Sequence, residues 1–290
     1  MPASSPHAKS LPDFSGNACQ GHSPEDQEKL WDAANRLVNA RGLALKMTAW
    51  LAQRLHGAAG GLESLGHRIL GTAWDGVESK AREAVEEVLL KAHDLATIGL
   101  GKHGQKDSWV WLNRLVSSIS GAVSGFAGLP GLLVDIPVTT TLMLRSIAEI
   151  AHEHGEDIAS EEGRRACLEV LAQGGPKTED DEVEISYWST RAGLSHLPIA
   201  MLTRTVAAQL GVRLSETLLA RMVPVAGAVA GGGLNWVFMG YYHEMARVHF
   251  TLREIERRTG DAAGVRICFD RLVAQASALK GGKSGVTIDA

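Results

Sequence analysis

The sequence predicts an all-α protein, a single multi-helix domain of about eight helices with two central Gly/Ala-rich helices. Three observations point there. Period-2 alternation is nowhere sustained, and the aromatic residues that strands favour make up only 5% of the chain. Helix-start signals recur along the whole length. Two runs, LVSSISGAVSGFAGLPGLLV at 115–134 and MVPVAGAVAGGGLNWVFMGYY at 222–242, carry no formal charge.

Each element can be justified in order. The leader, 1–24, is rich in Ser, Pro and small polar residues and is expected to be disordered. It lacks the apolar core of a secretory signal peptide. Ser23-Pro24-Glu25-Asp26 is a helix start, with Ser23 as N-cap, Pro24 in the first turn and two acids on the positive end of the dipole. Helical spacing then continues to about Leu55, where GAAGG breaks it. A short helix is expected near 62–70, and Asp75 opens an amphipathic one. Asp107 or Ser108 caps the helix that enters the first uncharged run. Ser160-Glu161-Glu162 begins a short helix that ends near Gly174. The acidic KTEDDEVE at 177–184 reads as a solvated turn. Helices are expected over roughly 185–210 and 215–258, the second bent near Pro224. Gly260 and Asp261 end one helix and cap the last. The helical domain spans 25–280, and 281–290 reads as a flexible tail.

Composition narrows the function classes. At 290 residues and 45% hydrophobic, the chain can bury a substantial core. A net charge of −4 and a pI near 6.3 give no basic stripe for nucleic acid. Cys19, Cys167 and Cys268 are far apart and odd in number. That pattern fits neither a disulfide framework nor a CxxC site and points to a reducing, cytoplasmic compartment.

The uncharged runs share a GxxxG with nearly identical filling: GAVSG at 121–125 and GAVAG at 227–231. Gly121 and Gly125, with Gly128 beyond, and Gly227 and Gly231 leave bare strips that permit close helix approach. Each run matches a bilayer core in length, yet Gly, Ser, Pro and Asn dilute it below a confident span. Buried packing is the first reading, and peripheral contact with membrane the second.

Candidate site residues follow from the helical wheel. On the first helix Asp135, Thr139, Ser146 and Glu149 share a face, with Arg145 beside it. On the second, Asn235, Tyr242, His249 and Arg253 share one, with His243 at its margin. If the two stripes face each other, Asp135 or Glu149 is expected to pair with Arg253, His249 or His243, because unpaired buried charge is costly. The plainer reading pairs Arg145 with Glu149 at i, i+4. Glu149-Ile150-Ala151-His152 has ExxH spacing, but no second ExxH completes a di-metal set, and HEMARVH fails HExxH. No GxSxG appears, and GLPGLL lacks the Lys and Ser/Thr of a phosphate loop. No metal, cofactor or catalytic residue is assigned.

The combination GLPGLLVDIPVTTTLMLRSIAEIAHEHGED at 128–157 with RMVPVAGAVAGGGLNWVFMGYYHEMARVHF at 221–250 resembles the EcsC protein family, over roughly 75–280. The residues that carry the resemblance are Asp135, Arg145 and Glu149 in the first motif and Asn235 in the second. It implies a bacterial all-α protein whose family namesake is encoded beside ABC transporter subunits, and it assigns no chemistry. The expectation is a non-enzymatic helical protein at the cytoplasmic membrane face, with lipid or a membrane protein, such as transporter subunits, as partner. The rivals are an enzyme or ligand-binding protein using the polar cluster on a small or lipidic substrate, and a soluble structural module.

Overall fold

The computed structural model describes residues 19–55, 76, 79–80, 82–90, 129–173, 183–222 and 227–281. Within these, 43–55, 129–139, 183–186, 212–222 and 227–238 are described as backbone alone. Every regular element among the described residues is a helix, as the sequence predicts. They are α1 (Pro24–Leu55), α2 (Leu129–Glu153), α3 (Glu161–Ala172), α4 (Val183–Ser195), α5 (Ile199–Met222), α6 (Gly227–Thr259) and α7 (Ala262–Gly281), with a further helical run over 82–90. The leader to residue 18, the short helix near 62–70, the cap at Asp107 or Ser108 and the tail beyond 281 lie outside the described residues, as do Gly121, Gly125 and Gly128.

Local chemistry explains the boundaries. Ser23 Oγ accepts from the Asp26 amide at 3.2 Å and donates to its carboxylate at 2.7 Å, which starts α1. Ser160 Oγ accepts from Gly163 N at 2.9 Å and starts α3. Gly260 ends α6 at φ +70°, and Asp261 Oδ1 accepts from Gly264 N at 2.8 Å to start α7. Two expected helices are redrawn. The one over 185–210 stops at Ser195, because Pro198 has no amide to continue it and biases Leu197 away from helix. Residues 215–222 belong to α5, and the next helix begins only at Gly227.

α6 is the hub, packing against α1, α2, α3, α5 and α7. Its apolar face buries Met245, Val248, Phe250, Leu252 and Ile255 completely, against Leu30 and Leu37 of α1, Ile147 of α2 and Phe269 and Leu272 of α7, among others. At about 1.5–3 kcal/mol per large side chain, this face is the main stabilising element of the described structure. α1 runs antiparallel to α6: Asp26 pairs with Arg258, Lys29 with Glu254 and Arg36 with Glu244.

α2 instead runs parallel to α6 and in register. Ser146 meets His243, His154 meets Thr251, and Glu156, just past α2, meets Arg253, each across 97 residues of sequence. The intervening α3, α4 and α5 make this possible by returning the chain to its starting end.

The cysteines overturn an expectation. Cys19 and Cys268 form a disulfide across 249 residues, with Cα atoms 4.8 Å apart, and Cys167 is a buried free thiol. Sequence spacing reports disulfides in small cysteine-dense domains. Here the pairing arises only because α7 folds back beside the turn that precedes α1. The pairing overturns the reading that the three cysteines form no disulfide.

Candidate functional site

The two polar stripes do not form one cluster. The structure spreads them along the α2–α6 seam and divides them among three stations. At the first, Arg145 is 4% exposed and donates through Nε to Glu149 Oε1 at 3.1 Å, the i, i+4 pair. Glu149 meets neither Arg253, His249 nor His243 at ion-pair distance, so its half of the expected cross-helix pairing is corrected, while the half expected of Asp135 falls on a side chain outside the described ones. Helical phase is the reason: parallel packing in register sets Glu149 one turn before the contacts that His154 and Glu156 make. His152, the other half of the ExxH, is exposed. Asp135 and Asn235 lie on α2 and α6, in the stretches described as backbone alone, as do Gly227 and Gly231.

Next comes His243. Arg247 Nε donates to its Nε2 at 3.2 Å, so the neutral ring carries its proton on Nδ1 and donates to Ser146 Oγ at 3.1 Å. Burial, and then Arg247, hold its pKa below the ordinary value, consistent with that neutral form.

The third station closes the loop after α2. Gly155 sits at φ +74°, and the Glu156 amide reaches back to Ala151 O at 3.0 Å, a Schellman end that turns Glu156 inward. There its carboxylate accepts from Arg253 Nε at 2.8 Å and pairs with Arg257 Nη1 at 2.6 Å. Arg253 also reaches Glu162 at 3.1 Å.

The last predicted residue, His249, looks the other way, into a network the sequence reading missed. It is fully buried where α3, α4 and α6 meet. Tyr187 Oη lies 3.1 Å from its Nδ1, and Glu169 Oε2 lies 3.5 Å from its Nε2. Burial raises the Tyr187 hydroxyl well above its ordinary range, so it stays protonated. Tyr187 therefore donates to Nδ1, which puts the imidazole proton on Nε2, facing Glu169. Burial, and then Arg191 and Arg253, hold His249 well below its ordinary pKa. The Glu169 contact, close enough to be an ion pair with an imidazolium, is therefore one between a neutral ring and a carboxyl whose pKa burial has raised.

Arg191 is fixed by Glu256, which accepts from both terminal nitrogens at 2.8 and 2.5 Å. It also lies over the Trp188 ring, 5.4 Å from the centroid. Gln173 Nε2 reaches Tyr187 O at 3.4 Å, and Tyr241 Oη donates to Gln173 O at 2.9 Å. Cys167 is no nucleophile here: burial, reinforced by Glu156, pushes its thiol up to about 12. The partners Glu156, Glu169, Tyr187, Arg191 and Glu256 come from four places in the chain, and no spacing rule joins them.

The EcsC protein family matches residues 93–255, more than half of the chain. The chain belongs to the EcsC protein family. No curated protein and no solved structure matches it. The EcsC match covers α2 to α6 up to Ile255, so it includes the first two stations, Glu156 and Arg253 of the third, and His249 with Tyr187, Glu169 and Arg191, while Glu256, Arg257, α1 and α7 lie outside it.

Proposed function

We propose that this EcsC protein is a non-enzymatic helical protein that works against a membrane face, with the glycine-rich ends of α2 and α6 as its contact and lipid or a membrane protein, such as transporter subunits, as its partner. The observation that carries the reading is the parallel register of α2 and α6. From the Ser146–His243 contact, both helices run on toward Leu129 and Gly227 for roughly 25 Å at 1.5 Å per residue. Parallel packing thus brings the described uncharged starts of both helices, 129–134 and 227–240, to one end of the bundle, opposite the end where Arg253 pairs with Glu156. α1, antiparallel to α6, carries its own residues 43–55 toward the same end.

No helix among the described residues is long and apolar enough to cross a membrane. The contact proposed is therefore peripheral. The buried His249 network supports a structural role for that station, since the Tyr187–His249 hydrogen bond and the Arg191–Glu256 pair lock α4 onto α6 within the helix packing. Liposome flotation of the full chain, with anionic and neutral bilayers at low and high salt, tests the reading. Co-flotation that survives high salt is expected. Protein that stays at the bottom with every lipid overturns it.

A further inference from the structure

Arginine cannot shed its charge by losing a proton, so a buried guanidinium needs an anion beside it. The strongly buried arginines of the polar half obey this rule: Arg145 has Glu149, Arg191 has Glu256, and Arg253 has Glu156. Arg41 does not. It is only 3% exposed, its Nε meets no hydrogen-bond partner, and it pairs with no carboxylate among the described residues.

A second cation stands on the same turn. Lys280 Nζ donates to Val38 O at 3.0 Å and lies 3.3 Å from where a Cβ on Gly42 would stand, so the ammonium brackets the turn that carries Arg41. The place in the fold is distinctive. α7 ends at Gly281, just past Lys280, and beyond this level α1 and α6 continue into the glycine-rich end without it.

We propose that Arg41 and Lys280 form an oxyanion seat, and that its occupant is the phosphate of an anionic lipid headgroup. The chemistry is a guanidinium offering planar paired donors, supplemented by a mobile ammonium, which suits a phosphate ester. The position agrees: Arg41 stands on α1 just before the stretch over 43–55 that runs toward the glycine-rich end proposed as the membrane contact. The lipid as source of the phosphate rests on the membrane reading above, whereas the seat itself does not.

The experiment keeps the two apart. Thermal unfolding of the full chain is followed with inorganic phosphate, against chloride at matched ionic strength, for the native protein, Arg41→Met and Lys280→Gln. Phosphate is expected to raise the native Tm by on the order of 3 °C near tenfold saturation, with the shift absent in Arg41→Met and reduced in Lys280→Gln. Arg41→Met is expected to be no less stable than native without phosphate, since it removes an unpaired buried charge. Lys280 is exposed, so its variant reads the seat even if Arg41→Met does not fold. A native protein that phosphate does not shift, or a shift that survives both substitutions, overturns the seat. Flotation with phosphatidylglycerol vesicles and with phosphatidylcholine vesicles then assigns the source. Loss of phosphatidylglycerol binding in Arg41→Met supports the lipid headgroup, and a phosphate shift with no vesicle binding leaves the seat standing and sinks the membrane source. Equal flotation of native and Arg41→Met overturns the headgroup assignment.

Discussion

The two halves of α6 are built on opposite principles. From Tyr241 to Thr259 the helix holds its neighbours with large buried side chains and with charges answered by other elements: Arg247 reaches Glu153, Arg253 reaches Glu156, and Glu256 holds Arg191. From Gly227 to Gly240 it carries no charge and five glycines, and α2 mirrors it with an uncharged start broken only by Asp135. Glycine costs about 1 kcal/mol relative to alanine within a helix. One end of the molecule is thus held by specific contacts, while the sequence of the other gives up helix propensity.

The largest test of this contrast lies in the disulfide, which ties α7 to the polar end. Closing a loop of 249 residues stabilises by up to about 5 kcal/mol in the chain-entropy view, and by about 2–4 in practice. Cys268→Ser, or reduction, is expected to lower the urea midpoint accordingly, and mass analysis of alkylated protein under non-reducing conditions checks that the bond is present. Next in size is Arg191→Ala, which unpairs Glu256 and strips a cation from the Trp188 ring. A loss of about 3 kcal/mol is expected in chemical unfolding. A loss below about 1 kcal/mol would show that the network is no more than surface electrostatics.

Acid should weaken the polar end selectively. His249 has a folded pKa held well below 6.5, so the unfolded chain takes up its proton first as pH falls. Its stabilising contribution is complete above about pH 6.5 and is lost as pH drops from there toward the folded value. Glu169, with a raised folded pKa, acts in the opposite sense, gaining stability as pH falls through that value toward 4.5. The His249 part of the acid loss below pH 6.5 is the part that His249→Gln should remove, flattening the slope in a pH series of unfolding curves. An unchanged slope would assign the acid sensitivity elsewhere.

Gly155→Ala is a smaller break. It forces a side chain into the left-handed region at φ +74° and is expected to cost about 1–2 kcal/mol, with Glu156 displaced from Arg253. The smallest effect should come from the other half, and there the sign matters more than the size. Gly231→Ala is expected to leave stability unchanged or raise it by up to about 1 kcal/mol, with weakened liposome flotation, if the strip faces a membrane partner. A stability loss with no change in flotation would place that strip against another helix of the same chain.

Some of this was legible in the residues before any fold was known. Ser23, Ser160, Gly260 and Asp261 act where their side chains and φ preferences say they must, because caps are settled within three or four residues. The Arg145–Glu149 pair follows from helical periodicity alone. His243, His249 and Arg253 were recognisable as polar residues on a helix that buries its other faces. Their partners were not. Glu156 depends on a glycine turning the chain back, while Tyr187 and Glu169 reach His249 from helices whose register no spacing records.

The sequence by itself determined the all-α class, the capped helix ends at Ser23, Ser160 and Gly260, the two uncharged glycine-rich runs and the family, because these rest on local geometry and on residue order. Only the tertiary structure decided that α2 and α6 lie parallel, that Cys19 meets Cys268, and that Arg41 is buried without a carboxylate. Those facts concern residues far apart in the chain, and contact between them is set by how whole helices pack, which no single segment encodes.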